Sequence, residues 1–172
     1  MSMTDLAQAP IGDSKSGITL QEAMEFIWNE ADLLDRHDYK PWLALWTGNG
    51  KYVIPIERDV KDHAEALNVA YDDAQMREAR VRRLRSGFAM SSAPAARTAR
   101  TVSRFVRVSD TSERLVVRAA QHIVEYKFER TRMLAADMLY HLVRTDTGLA
   151  LEYKEVLLIN SDDFLWGLGY LL

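Results

Sequence analysis

The order of the sequence patterns predicts an α+β domain, with helices first and a long, bent, mostly antiparallel sheet after them. Helical patterns occupy residues 19–46 and return at 74–84. From residue 98 onward almost every segment favours strand, with short polar turns between long β-favouring runs. Successive strands of this kind pair as a meander, and helices grouped at one end cover one face of the sheet.

Length and composition fit a single globular domain. The chain has 172 residues, of which 48% are hydrophobic and 27% charged, and it has no run of about 18 apolar residues that would span a membrane. Residues 1–18 lack the basic and then apolar order of a signal peptide and are predicted to be a flexible tail, which leaves 19–172 as the domain. Without a signal or any cysteine, we expect a cytoplasmic protein with no membrane partner, no disulfide and no cysteine-ligated cluster in this chain.

The first helix begins at a capping box, in which the Thr19 hydroxyl and the Glu22 carboxylate satisfy amides at the helix start. Apolar residues then recur at three- and four-residue spacing to about residue 36, which predicts one buried helix face. A second, short helix is predicted over residues 39–46. The polar and glycine-rich sequence of residues 47–50 is predicted to end it.

Two short strands and a third helix are predicted in the middle of the chain. The strands cover residues 51–56 and 68–71, and a charged loop joins them. Asp72 with Gln75 resembles a helix cap before residues 74–84. That helix is amphipathic, and its arginines are predicted to project away from the core.

Four long strands follow, and we predict that they form an antiparallel meander. Their residues are 98–108, 114–129, 132–144 and 150–159. Val124, Tyr126 and Phe128 occupy alternate positions, as in a sheet with one buried face and one partly wet face. Apolar doublets at 116–117 and 119–120 disturb this alternation, which predicts a β-bulge there.

Residues 77–107 carry nine of the 22 basic residues and one acidic residue, in a chain whose net charge is −3. Nucleic acid is a poor match, because few aromatic residues lie among these arginines. Two binding partners for these arginines stay open. One is the set of carboxylates elsewhere in the chain, and the other is a partner subunit, since arginine forks suit protein interfaces. We expect both, with the helix arginines facing outward and some strand arginines satisfied internally. The arginines predicted to face a partner are Arg80, Arg83, Arg85, Arg97, Arg100 and Arg104.

The sequence carries no strong signature of catalysis by this chain alone. Its four histidines are scattered, and none has the i,i+4 partner of a helical zinc site. His122 and His141 could join a carboxylate in a two-histidine iron site if the two central strands are adjacent, although sheet histidines with local hydrogen bonds are more common. No glycine-rich phosphate loop or nucleophile elbow supports nucleotide use or acyl transfer.

Two apolar features have a structural and a functional interpretation. Trp42 and Trp46 could stack on an aromatic ligand, but aromatic residues at helical spacing normally bury against a sheet. Residues 164–172 are too apolar to remain in water. We expect this segment either to return to the core or to dock on a neighbour.

Six short motifs occur in the order found in one protein family, and together they cover about residues 19–172. They are Glu30-Ala-Asp-Leu-Leu-Asp35, Tyr39-x-x-Trp42, Tyr52-x-x-Pro55, Arg80-Val-x-Arg-Leu84, Pro94-x-x-Arg97-Thr98-x-Arg100 and Lys154-Glu-Val-Leu-Leu158. No motif is specific alone, but six in order within one domain rarely arise by chance. The chain resembles the small (beta) subunits of bacterial aromatic-ring-hydroxylating dioxygenases, which are Rieske non-haem iron oxygenases.

The resemblance implies a cone-like fold of the nuclear transport factor 2-like or cystatin-like type, shared with scytalone dehydratase. It implies no cofactor in this chain and a large (alpha) subunit that carries a Rieske [2Fe–2S] cluster and a mononuclear iron. Three large and three small chains commonly assemble in this family, so self-association as a trimer is expected. The implied function is a non-catalytic structural subunit in the breakdown of aromatic compounds.

The cone fold also hosts enzymes, so a stand-alone dehydratase or isomerase stays open as an alternative. A carboxylate and a histidine in an apolar pocket could move a proton there. The residues that would line such a pocket include Asp35, Tyr52, His122 and Tyr140. Against this alternative, Asp35 has an ordinary place at a helix end, and Tyr140 on an alternating strand is more often core than catalyst.

Overall fold

The computed structural model describes residues 15–60, 62–86, 94–163 and 167–172. The elements within them are α1 (Leu20–Asp35), α2 (Tyr39–Ala44), β1 (Trp46–Pro55), β2 (Asn68–Asp72), α3 (Ala74–Arg85), β3 (Arg97–Asp110), β4 (Leu115–Lys127), β5 (Arg130–Thr145) and β6 (Gly148–Leu158). None of the helices in this part of the chain is long and apolar enough to cross a membrane. The predicted α+β order of helices and then strands is confirmed.

The six strands form one sheet in the order β2-β1-β6-β5-β4-β3. Strands β3 to β6 make the predicted antiparallel meander, while β1 joins β6 in parallel and pairs with β2 antiparallel. α1 packs on β3, and α2 and α3 pack on β1, so the helices cover one face of the sheet. We call the covered side the inner face and the opposite side the outer face.

α1 has the predicted capping box. Thr19 Oγ1 accepts the Glu22 amide at 3.1 Å, and Glu22 Oε2 accepts the Thr19 amide at 2.8 Å. The helix ends at Asp35, and His37 follows with a φ of 58°, in the left-handed conformation that often closes helices. The apolar side chains buried on its inner side are Ala23, Ile27, Ala31 and Leu34.

The second helix is shorter than predicted. α2 ends at Ala44, and residues 47–50, predicted to end that helix, belong to β1. Trp46 already lies opposite Leu151 of β6, and pairing resumes after a shift of register. A Cβ on Gly50 would lie 3.0 Å from the main-chain oxygen of Leu151. Glycine here therefore permits close strand contact and does not end a helix.

The cap of α3 also differs from the prediction by one residue. Asp73 is the N-cap, and its carboxylate accepts the Met76 amide at 2.9 Å. Asp72, predicted for that role, is buried and forms an ion pair with Arg80. A buried carboxylate is stable only with a partner, which is why Arg80 turns toward it.

The turn between β4 and β5 lies two residues earlier than predicted. Lys127 pairs with Arg130, so the turn residues are Phe128 and Glu129 and not residues 130–131. Both turn residues have a positive φ, 52° and 59°. Two-residue turns of this kind match the twist of a hairpin but usually contain Asn and Gly.

The predicted β-bulge in β4 is on the neighbouring strand instead. β4 pairs with β5 without a break, whereas β3 shifts register against β4 between residues 103 and 106 and again between 107 and 109. Arg104, inside the first shift, has a φ of 55°. The apolar doublet at 116–117 has another cause, because Val116 is buried even on the outer face.

The aromatic residues near α2 belong to the core. Trp42, Trp46 and Tyr52 contact one another edge to face, with ring centroids 5.5 to 6.0 Å apart. All three are buried in the described structure. The predicted core role of Trp42 and Trp46 is confirmed.

Both ends of the described chain pack on the domain. The amides of Lys15 and Ser16 donate to the Asp110 carboxylate at 3.2 and 2.9 Å, and Ile18 is fully buried. Residues 15–18 of the predicted tail thus pack on the domain, while residues 1–14 lie outside the described residues. Residues 170–172 are buried in the core, which is one of the two predicted outcomes for the apolar end. Residues 164–166 of that segment lie outside the described residues.

Candidate functional site

The four residues of the alternative enzyme pocket do not come together. Tyr52 on β1 and Tyr140 on β5 are fully buried in the interior. Asp35 lies at the end of α1, against β3. His122 is on the exposed side of β4. The prediction that His122 joins the other three is corrected, because alternation along β4 turns it to the outer face.

The two histidines considered for an iron site are also far apart. His122 lies opposite Ala135 of β5, six residues along that strand from His141, a separation of about 20 Å. His141 packs on the ring of Tyr153 at 4.8 Å, and burial lowers its pKa. Within the described ranges, no three His, Cys, Asp or Glu side chains are grouped so as to hold a metal ion.

The end of the described chain fills the interior of the cone. Leu171 and Leu172 are 2% and 0% exposed. The Leu172 amide donates to the Tyr52 hydroxyl at 3.0 Å, and the Leu172 main-chain oxygen accepts from Tyr52 at 3.1 Å. These two residues therefore fill part of the interior, beside a cavity of about 260 Å³ that Tyr52, Ile54 and Tyr170 help to line.

A buried ion pair lies beneath this segment. Lys154 Nζ of β6 donates to Glu30 Oε1 of α1 at 2.6 Å and to the Leu172 oxygen at 2.9 Å. Trp42 Nε1 donates to the same Glu30 oxygen at 2.9 Å. Both charged residues are at most 1% exposed, and burial lowers the pKa of Lys154 while Glu30 opposes that change. Charges this deep persist because each is paired and hydrogen-bonded.

A second ion pair connects α1, β3 and the end of the chain. The Asp35 carboxylate accepts from the Thr98 hydroxyl at 2.7 Å, from the Arg100 amide at 2.8 Å and from the Arg100 guanidinium. The same guanidinium donates to the main-chain oxygen of Leu171. Asp35 is thus tied to three donors and is not held ready for proton transfer.

The interior tyrosines remain protonated. Burial raises the pKa of both Tyr52 and Tyr140 above the ordinary tyrosine value. The Tyr140 hydroxyl is buried and has no hydrogen-bond partner in the described structure. Together with the two ion pairs, the hydrogen bonds of Tyr52 hold the end of the described chain in place.

The sequence does hint at the buried pair that we did not predict. Glu30 lies among the buried positions of α1, four residues before Leu34, and Lys154 is an inward position of the apolar strand β6. A charge at a position that the helical or strand period assigns to the core is a signal for a buried partner. The sequence alone does not say that these two residues, 124 positions apart, meet each other.

Three arginines of the basic segment are used inside the chain. Arg77 is 2% exposed, lies 4.2 Å over the Trp46 ring and donates to the Gly50 oxygen. Arg80 binds Asp72 through two nitrogens. The side chain of Arg100 is fully buried. Arg100, predicted to face a partner, is therefore corrected to an internal role, whereas Arg80 pairs with Asp72 and keeps 26% of its side chain exposed.

The other four arginines predicted to face a partner remain exposed, on two different surfaces. Arg83 and Arg85 lie on the exposed side of α3. Arg97, which lies opposite Tyr126, and Arg104, which reaches Asp137 of β5, belong to the outer face of β3. The expectation that some strand arginines are satisfied internally is met by Arg100, whereas Arg80 of α3, expected with the other helix arginines to look outward, pairs with the buried Asp72.

The centre of the outer face is a charged groove. Asp137 accepts from Arg104 at 3.0 Å and from Arg58 at 3.4 Å. Arg104 reaches Asp137 across the small side chain of Ala120, aided by the irregular backbone of β3. The groove has a volume of about 460 Å³ and is also lined by Arg118 and Glu155.

Comparison with known sequences identifies relatives of this chain. The sequence profile of a family described as the ring hydroxylating beta subunit matches residues 29–162. The small subunit of 2-halobenzoate 1,2-dioxygenase from Burkholderia cepacia is 26% identical over 145 residues, which cover 81% of this chain and 88% of that protein. The small oxygenase component of the p-cumate 2,3-dioxygenase system from Pseudomonas putida is 28% identical over 149 residues, which cover 85% and 82%.

Solved structures share the fold. The beta subunit of benzoate 1,2-dioxygenase from Burkholderia mallei superposes with a TM-score of 0.75 at 21% identity, covering 90% of this chain and 98% of that one. A nuclear transport factor 2-like protein with a cystatin-like fold from Novosphingobium aromaticivorans gives 0.58 at 17% identity, covering 81% of each chain. The predicted cone-like fold is confirmed.

Proposed function

The chain belongs to the ring hydroxylating beta subunit family, and on this basis we propose that it is the non-catalytic structural subunit of an aromatic-ring-hydroxylating dioxygenase. The observation that carries the proposal is the family match over residues 29–162, which include both buried residues of the Glu30–Lys154 pair. The two relatives named as small oxygenase subunits or components support the same assignment. We place the protein in the cytoplasm.

The iron chemistry is assigned to a large oxygenase subunit. A Rieske cluster needs two cysteine ligands, and this chain contains no cysteine. The large subunit would carry the Rieske cluster and the mononuclear iron, and this chain would hold large subunits in a fixed arrangement. We propose an assembly of three large and three small chains with a trimer of small subunits.

The interior and the surface of the chain suit such a role. Tyr52, Arg100 and Lys154 hold the end of the described chain in the cone, which favours a rigid body over a substrate pocket. The exposed arginines offer bidentate donors to carboxylates of a partner. Those available for the contact are Arg83, Arg85, Arg97 and Arg104.

Co-expression with the large oxygenase subunit tests the proposal. We expect a mixed oligomer with the native mass of three large and three small chains that contains iron. Reversal of two charges, Arg83→Glu with Arg97→Glu, should reduce recovery of this complex without lowering the melting temperature of the small subunit. Lys40→Glu on α2, also exposed, is a single charge reversal outside both arginine surfaces and serves as a control. An iron-free oligomer of this chain alone, in the presence of the large subunit, would contradict the proposal.

A further inference from the structure

The outer face of the sheet carries an apolar band that nothing in the described chain covers. Its members lie on β3, β4 and β5 and just after β6, and each is exposed. They are Ala99, Val124, Tyr126, Met133 and Ile159. The exposed fractions of the larger four run from 40% for Val124 to 67% for Met133.

Strand pairing makes the band continuous. Val124 lies directly opposite Ala99 on one side and Met133 on the other. The Ile159 amide donates to the Ala135 oxygen at 3.0 Å, which continues the band past β6. With strands about 4.8 Å apart, the band is about 14 Å wide across four strands. Contiguous exposed apolar surface of this kind marks an interaction site in a soluble protein.

Cationic groups border the band on both sides. Arg97 lies 5.8 Å over the Tyr126 ring, and Arg130 follows the hairpin turn. On the other side, Arg104 and Arg118 lie at the charged groove. Among the described residues, no carboxylate is within ion-pair distance of Arg97, Arg118 or Arg130.

The arginines around the apolar band indicate which kind of partner would fit it. The carboxylates of the groove, Asp137 and Glu155, are already paired within the chain. A second copy placed face to face about a two-fold axis would therefore set the arginines of one border against those of the other or against themselves. Like charges brought together in this way oppose association. A complementary partner instead presents an apolar anchor surrounded by carboxylates.

The turn at the end of the band adds an independent observation. Phe128 and Glu129 both hold a positive φ, and Phe128 is 65% exposed. A bulky residue rarely adopts that conformation, and residues held in it cluster at functional sites. An exposed aromatic ring beside the band is typical of an interface anchor.

We propose that the apolar band is the docking surface for the large oxygenase subunit, with Phe128 as an anchor and Arg97 and Arg118 facing its carboxylates. This proposal rests on the proposed function, because that function supplies the large subunit. Of the exposed arginines, the proposal places only those of the sheet in contact with the large subunit. It assigns no part of that contact to α3.

Paired substitutions of exposed methionines test the docking surface. Met133→Glu places a carboxylate in the band, whereas Met76→Glu makes the same change on α3, where Met76 is 49% exposed. With purified large subunit, we expect Met133→Glu to weaken binding about 30-fold or more and Met76→Glu to change it less than about twofold. Arg97→Glu and Arg83→Glu form a second pair with the same expected contrast.

The possible outcomes are distinct. Unchanged binding by Met133→Glu and Arg97→Glu, or equal losses in both members of a pair, would overturn the band as the docking surface. A smaller native mass for Met133→Glu than for wild type in the absence of the large subunit would assign the band to a second copy. If the wild-type chain itself does not bind the large subunit, the result contradicts the proposed function. It then says nothing about which surface is used.

Discussion

Arg100 of β3 and Asp35 of α1 form an ion pair in which the arginine side chain is completely buried. The guanidinium also donates to the Leu171 oxygen, and Thr98 donates to the same carboxylate at 2.7 Å. One arginine thereby joins the end of a helix, an edge strand and the last residues of the chain. It contributes to folding and is not accessible to a partner.

Loss of this arginine should destabilise the fold. Arg100→Met keeps much of the apolar stem but leaves Asp35 without its cation, and we expect the free energy of unfolding to fall by about 3 kcal/mol. Arg97→Met on the same strand removes an exposed arginine and should change it by no more than about 0.5 kcal/mol. Urea denaturation of both variants measures the difference. Equal stability of the two variants would show that the buried pair is not needed.

Local patterns were sufficient to predict much of the fold. The capping box at Thr19 and Glu22 depends on four neighbouring residues, and the meander depends on strands that are adjacent in sequence. The internal role of Arg100 could not be predicted from local patterns, because it depends on contacts with Asp35 and Leu171, which are distant in the sequence. Likewise, Gly50 resembles a helix stop until its close contact with β6 is known.

Glu30 and Lys154 should show strong energetic coupling. Lys154→Met leaves Glu30 buried with Trp42 as its remaining donor, and we expect a loss of about 3–5 kcal/mol in the free energy of unfolding. In the double variant with Glu30→Gln, the amide oxygen can still accept from Trp42 and no charge is left buried. We expect the double variant to be more stable than Lys154→Met by at least about 1 kcal/mol.

Guanidinium denaturation of the wild type, the two single variants and the double variant measures this coupling. Costs that simply add in the double variant would show that the two residues act independently. Each residue breaks an apolar pattern and so signals a buried partner, but the sequence does not say that these two residues, 124 positions apart, meet. Only the packing of α1 over β6 brings their charges together.

Glu22 should make stability depend on pH in acid. The Thr19 amide and then Arg144 lower the pKa of Glu22 from 4.5 to about 2. A carboxylate with a depressed folded pKa stabilises the fold above its unfolded pKa, and this contribution disappears as pH falls from about 4.5 to about 2. Since the side chain is 42% exposed, solvent screening limits the contribution to about 0.5–1 kcal/mol.

Glu22→Gln tests this contribution. The variant should be less stable than wild type by that amount at pH 7, and the difference should shrink toward zero near pH 2. Glu25→Gln removes a charge from the same exposed helix surface and controls for net charge. Thermal unfolding of the three proteins across this pH range provides the comparison. A difference that stays constant with pH would contradict the role of the capping carboxylate.

The strained turn of the β4–β5 hairpin predicts opposite changes in stability and in binding. Phe128 and Glu129 hold φ values of 52° and 59°, which Asn and Gly adopt at much lower cost. Phe128→Asn with Glu129→Gly should therefore raise the free energy of unfolding by about 1–2 kcal/mol, and the melting temperature by about 2–4 °C for each kcal/mol. The same variant loses the exposed ring and should bind the large subunit more weakly, so weaker binding cannot be attributed to poor folding.

Thermal unfolding of the isolated chain and titration with the large subunit measure the two effects. A more stable variant that binds as well as wild type would remove Phe128 from the docking surface, and a variant with no gain in stability would show that the turn is not strained.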